Sequence, residues 1–248
     1  MKKLILILCL LLLAQPCWPA VDFDEADDSI ATSNTDIFDI EANYTISVWA
    51  NLDDAGDLGL AAILAKVTVA GGIDFIFHYD SNRALFIYDN STATNANSVN
   101  AAFAFDTWVH IVVTNNSGTI NFYVNTVDKS SDTSLTESDP GAGVCVIGAE
   151  DNLAFQAYEM DGALAELAVW TIVLTADEIA QLYNSKIIGI PLQIQPASLV
   201  MYYPLDDLAH GSAGGGATFK DMTQNGYGTG NNDGSGLVGV TAPGLSYP

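Results

Sequence analysis

Positive charge is what this chain has least of. Seven Lys and Arg stand against 30 Asp and Glu in 248 residues, a formal net charge of −23 at pH 7. Residues 1–20 hold two of the lysines and no acid, so the imbalance deepens beyond them. A field of that sign repels phosphate backbones and anionic bilayers, which excludes nucleic acid and membrane surfaces as partners. It suits divalent cations, neutral glycans or a plainly solvated acidic surface. Cysteine is scarce as well: beyond residue 20 only Cys145 remains. That leaves no intramolecular disulfide there, and Val144-Cys145-Val146-Ile147 reads as a buried strand rather than a reactive thiol.

Other catalytic sets are missing too. The histidines stand scattered at His78, His110 and His210, with no H-E-x-x-H pair. His110, inside WVHIVV, reads as a satisfied strand histidine. The run from His210 to Gly214 lacks the first glycine of a G-x-S-x-G elbow, and no G-x-x-x-x-G-K cradle occurs. Long apolar runs are also absent. The longest, at 4–14, falls short of the roughly 20 residues a bilayer requires. With Lys2 and Lys3 before it and Ala20 after it, residues 1–20 read as a secretory signal peptide. A lipid anchor on Cys17 is the weaker alternative, since Ala14-Gln15-Pro16 before it does not look like a lipobox. The expectation is a secreted protein, without membrane insertion once the signal is removed.

Short alternating strands are plentiful. In 44–52, Ile46, Val48, Ala50 and Leu52 share one face while Trp49 sits on the other, so both faces should be covered. Strands follow at 61–67, 73–79 and 84–89, with Gly71-Gly72 and Ser81-Asn82 as turns. The runs 108–114 and 119–124 predict a hairpin across Asn116-Ser117-Gly118, and 144–147 is a further strand. The nearly apolar 163–170 carries Glu166 as its only charge and leads into a helix opened by a capping box, Thr175 with Glu178. Many strands with one short helix predict an all-β fold, an antiparallel two-sheet jelly-roll β-sandwich.

The stretch 161–184 resembles the closing segment of the concanavalin A-like lectin/glucanase superfamily, in its laminin-G-like (LamG) and pentraxin-like branch. Gly162, Leu164, Glu166, Leu167, Val169 and Trp170 carry the G-x-I-D-E-V-x-I-W pattern, and Ala165 replaces its acid. The opening 21–30 is similar to that family's first strand through Phe23, Asp24, Asp27 and Asp28. The late run 198–205, with Lys220-Asp221 and Asn225-Gly226 after it, looks like a strand that normally comes early. This implies a permuted edge, with 198–205 added to the same sandwich beside 21–30. The expected organisation is a signal peptide at 1–20, a jelly roll at 21–210 and a Gly/Asn-rich tail at 211–248.

Glucanases of the superfamily carry E-x-D-x-E on one strand face. Here Glu159-Met160-Asp161 is followed by Ala163, and strand alternation sets Glu166 on the opposite face. A non-enzymatic role is therefore expected. By resemblance to pentraxin-like proteins, Asp80 with Asn82 and the group Glu150, Asp151 and Asn152 would meet around Ca²⁺, which takes oxygen ligands on loops. Ordinary turn polarity accounts for the same residues. Asp24, Asp27 and Asp28 form a second acidic group. Phe155 and Tyr158 are the candidate sugar-facing aromatics, or pack under their own loop. The resemblance implies a secreted binding module for a glycan or a cell-surface protein. A structural or decoration module without a sugar ligand is the alternative, and a glucanase-like hydrolase the third. Oligomeric state has no signature in the sequence.

Overall fold

The structure is a computed structural model that describes residues 20–25, 28–32, 43–55, 58–68, 73–89, 92–136, 143–150, 158–185, 190–205, 218–219, 221–223 and 234–236. Its strands are β1 (Val21–Asp24), β2 (Ile30–Ala31), β3 (Asn43–Leu52), β4 (Leu60–Thr68), β5 (Ile73–Asp80), β6 (Leu85–Asp89), β7 (Thr94–Ser98) and β8 (Val109–Asn116). Then come β9 (Thr119–Val124), β10 (Val127–Asp128), β11 (Ser130–Asp132), β12 (Gly143–Ile147) and β13 (Asp161–Trp170). Helix α1 (Ala176–Ser185) and a 3-10 turn (Ile190–Gln193) precede β14 (Leu199–Tyr203), β15 (Thr218–Phe219) and β16 (Gly234–Gly236).

These form two antiparallel sheets, the jelly-roll sandwich that the alternation predicts. The first runs β1-β13-β3-β8-β9-β10, with β14 also on β13. The second runs β11-β7-β6-β5-β4-β12-β2-β16-β15. Between them lies one continuous core that includes Phe23, Ile46, Val48, Phe77, Ile87 and Phe122. Each such side chain, fully buried, contributes roughly 1.5–3 kcal/mol, so a core of this size holds without a disulfide. Cys145 is a free, buried thiol of that core, and burial pushes it up to about 11.

β1 and β14 occupy the same edge of β13, end to end. Val21–Asp24 pair with Leu164–Asp161, while Tyr203, Tyr202 and Met201 pair with Leu167, Ala168 and Val169. The seam is Glu166. It has a φ of 54°, its N–H donates to the Pro204 carbonyl at 3.1 Å, and the ladder to β3 slips between Ala165 and Ala168. This bulge corrects the simple alternation. One extra residue resets the parity, so Leu164 and Leu167 both face the core, and Glu166 lines a small recess with Ser47, Trp49 and His110 on the other side.

α1 starts as its capping box requires. The Thr175 N–H donates to Glu178 Oε2 at 2.8 Å and the Glu178 N–H returns to Thr175 Oγ1 at 3.3 Å. The helix lays Ile179 and Leu182 on Trp170, closing the outer face of the first sheet. No helix among the described residues is long and apolar enough to cross a membrane. Of 211–248, the structure describes β15 and β16, which extend the second sheet from β2, and 221–223, where the Asp221 carboxylate accepts the Tyr202 N–H at 3.0 Å.

Candidate functional site

The outer faces of the two sheets are treated differently by the chain. On the first, Trp49 stacks on Tyr183 of α1 at 5.7 Å and lies 5.1 Å from the His110 ring. His110 Nε2 is 2.8 Å from Ser47 Oγ, and burial pushes its imidazole down to about 3. A ring held neutral there, under a helix, is packing material. Ala163, third in the would-be carboxylate row, packs with Trp49 in the same layer.

On the second sheet, alternation loads the outer face along β5 and β6, beside a buried cluster of Ala62, Ala65, Val67, Val146 and Ala149 on β4 and around β12. Phe75, Phe77 and Tyr79 of β5 point into the core, so Ile76 and His78 point out. Likewise Leu85 and Ile87 of β6 face in, and Phe86 and Tyr88 face out. The ladder sets His78 opposite Phe86, Ile76 opposite Tyr88 and Tyr88 opposite Asn95. His78 and Phe86 stack with centroids 5.0 Å apart and planes 7° apart. Tyr158 closes one side; its carbonyl accepts the Ala62 N–H at 2.8 Å. Together with Leu60 and Glu150 these residues line a cleft of about 490 Å³, within the range of small-molecule and sugar pockets.

Polar groups are few in this cleft. Glu150 is 6 % exposed, and Asn95 is exposed at the rim. Burial holds His78 down to about 4, partly opposed by the carboxylate of Asp80. Its Nδ1 has no hydrogen-bond partner among the described residues. A neutral imidazole of this kind offers one donor and one acceptor to a hydroxyl.

The predicted residues divide. Glu150 and Tyr158 meet in the cleft. Asp80 and Asn82 form a closed turn between β5 and β6: Asp80 Oδ1 accepts the Ala84 N–H at 2.9 Å and Oδ2 accepts from Asn82 Nδ2 at 2.9 Å. Leu60, the ladder partner of Asp80, lines the same cleft as Glu150. Asp151, Asn152 and Phe155 lie outside the described residues. His78, Phe86, Tyr88 and Asn95 went unread as site residues. The available signal was the outward pair of aromatics in LFIYD, on the face where a solvated sheet carries polar residues.

Acids gather elsewhere, where the ends of β1, β3 and β13 come together. Ligand oxygens of Glu25, Asp54 and Asp161 lie within 4.8 Å of one another. Burial, then Asp53 and other neighbouring carboxylates, raise Asp161 to about 6, and Asp22 rises to about 6 likewise. Of the acidic opening, Asp28 caps its own turn by accepting the Asp24 N–H at 2.8 Å, and Asp27 lies outside the described residues.

Comparison with known proteins agrees with this architecture. A family profile described as the concanavalin A-like lectin/glucanases superfamily, Laminin_G_3, matches residues 24–180. No curated protein sequence matches the chain. Among solved structures, a Bacteroides ovatus protein provisionally assigned as carbohydrate-binding is similar at TM-score 0.63 and 20% identity. That match covers 93% of this chain and 60% of the other. The heptameric SAP-like pentraxin of Limulus polyphemus is similar at TM-score 0.56 and 16% identity, over 70% of this chain and 84% of that one. Domain 4 of an extracellular GH43 arabinanase from Geobacillus stearothermophilus, in complex with arabinotriose, is similar at TM-score 0.51 and 16% identity. It covers 66% of this chain and 76% of its own. At these identities the likeness is one of fold; the profile match over most of the chain shows that the protein belongs to the laminin-G-like family of the concanavalin A-like lectin/glucanase superfamily.

Proposed function

We propose that the protein is a non-catalytic carbohydrate-binding module that holds its glycan in the cleft on the outer face of the second sheet. One observation carries this. Phe86, Tyr88 and Tyr158, with His78 stacked on Phe86, present apolar ring surface beside the hydrogen-bonding groups of Asn95 and Glu150. Sugars offer the matching surfaces, apolar C–H faces edged by hydroxyls. The provisional assignment of the Bacteroides protein and the arabinotriose in the arabinanase domain support the reading. So does Ala163, which leaves the glucanase carboxylate row incomplete. The run at 4–14 supports a secreted or cell-surface location.

Calcium belongs to the proposal at the end of the cleft. Glu150 lines the cleft and would supply carboxylate oxygen, the hard ligand that Ca²⁺ takes, and Asp80 stands opposite Leu60 of the same cleft. Thermal melts with EDTA and then with millimolar Ca²⁺ test it: a rise that Glu150→Gln abolishes supports the site, since a ligand of the folded state alone must stabilise it. Identical melts remove calcium from the proposal. For the glycan, affinity electrophoresis through gels containing laminarin, dextran, arabinan or hydroxyethylcellulose reads binding directly. Retardation in at least one gel, lost in Phe86→Ala, is the expected result. Unretarded migration in every gel would favour the structural module instead.

A further inference from the structure

We infer that the glycan held in this cleft is uncharged; the inference rests on the carbohydrate reading above and specifies its ligand class. Acidic sugars, whether uronic, sialylated or sulfated, carry anionic groups that a site must pair with a cation or a set of donors. Among the described residues that line the cleft none is Lys or Arg, and the one charged residue, Glu150, is an acid.

The described cations, Lys66, Arg83 and Lys129, are placed elsewhere. Lys66 is buried, and its ladder partners Phe75 and Cys145 belong to the core between the sheets, so it does not serve the outer face. Arg83 sits in the β5–β6 turn and does not line the cleft. Lys129 lies between β10 and β11, on the stretch that crosses from one sheet to the other. Lys186 and Lys220 are outside the described residues. The seven residues between Glu150 and Tyr158 in the sequence, DNLAFQA, contain an acid and no base.

His78 does not make good the lack. Half-buried and stacked on Phe86, its ring is held below an ordinary imidazole by desolvation, which disfavours its cationic form. Around the cleft, the net charge of −23 adds a long-range repulsion for any polyanion. In the metal-free cleft, local chemistry and global field thus act in the same direction, against an acidic sugar and neutral toward an uncharged one.

The test uses backbone-matched pairs: dextran with dextran sulfate, hydroxyethylcellulose with carboxymethylcellulose, and laminarin with carboxymethyl-laminarin. Binding is read by affinity electrophoresis and calorimetry in EDTA over a salt series from about 0.01 to 1 M, where the screening length falls from about 30 to 3 Å. At low salt the neutral member of at least one pair should bind at least about tenfold tighter than its anionic twin. The gap should shrink with salt and narrow in Glu150→Gln, and both members should lose binding in Phe86→Ala. If Glu150→Gln does not fold, the salt series on the unmodified protein decides. An anionic member that binds as well or better at low salt, through Phe86, overturns the inference and leaves the carbohydrate reading standing. A preference for the neutral member that survives Phe86→Ala places the discrimination outside the cleft and overturns it too. Binding of neither member in any pair overturns the carbohydrate reading itself.

Discussion

The Tyr202 hydroxyl lies 2.9 Å from both carboxylate oxygens of Glu166, joining β14 to the bulge of β13. Both side chains are nearly inaccessible to water. A buried carboxylate that loses a donor retains its desolvation cost without the compensating bond. Tyr202→Phe should therefore cost about 1–3 kcal/mol in urea unfolding. Glu166→Gln should cost less, because an amide buried there carries no charge. A double-mutant cycle showing no coupling between the two positions would refute the pairing.

Two glycines differ in what surrounds them. At Gly148 (φ 86°) an added Cβ would lie 2.3 Å from Cε1 of Phe23, a side chain able to shift. At Gly162 (φ 127°) it would lie 2.2 Å from the Asn51 carbonyl oxygen, part of the β3 ladder. Gly148→Ala should cost about 1–3 kcal/mol, the usual range for overpacking. Gly162→Ala should cost more, since backbone must move. Chemical denaturation of both variants checks the order.

The acid cluster carries a pH signature of its own. Asp161 has a folded pKa of about 6, above its unfolded value, so its charge works against folding at pH above 6. That cost disappears as pH falls through 6 toward 4, because the folded state takes up the proton first. Asp161→Asn should thus raise the melting temperature at pH 8, and the gain should fade by about pH 4. A gain of equal size at both values would refute the electrostatic cause.

The histidines act with the opposite sign. His78 and His110 titrate near 4 and 3 when folded, below an unfolded imidazole at 6.5. Their neutral forms cost nothing above pH 6.5. Below it the unfolded chain binds protons that the folded chain refuses, so stability falls as pH drops from 6.5 toward 4. NMR of the imidazole resonances should show both rings unprotonated at pH 5. Titration of either near 6.5 in the folded protein would contradict the desolvation of its ring.

Within the cleft, Tyr88→Ala should weaken binding of a neutral polysaccharide about tenfold, or ~1.4 kcal/mol, with the melt little changed. Calorimetry on whichever glycan retards the protein measures it. An unaltered affinity would remove Tyr88 from the site.

How far the sequence could be read depended on whether a residue's neighbours in the chain determine its surroundings. The cap of α1 is local, so Thr175 and Glu178 were legible. The two-faced burial of β3 was legible because Trp49 breaks a clean alternation. β7, TNANS, passed unread as a strand, since Ala96 is the one hydrophobic it buries and its stability comes from β6 and β11. The bulge at Glu166 was illegible for a related reason: Pro204, its backbone partner, lies 38 residues on. As for the cleft, sequence marks aromatics on an outer face. It does not tell that α1 covers the outer face of the first sheet, or that the cleft forms on the second.

The shared edge of β13 has a consequence for the order in which this protein comes together. Val21 must wait for Leu164 to be made before it has a partner, and the other half of that edge awaits Leu199–Tyr203. Contacts so distant along the chain make for slow folding. Until the last of them forms, Leu167–Trp170 holds an unpaired strand edge, the part of a nascent sandwich that another copy would most readily extend. Completion from both extremes of the sequence makes closure of this sheet a late event, and any chain stopped before residue 199 is left with a sticky seam.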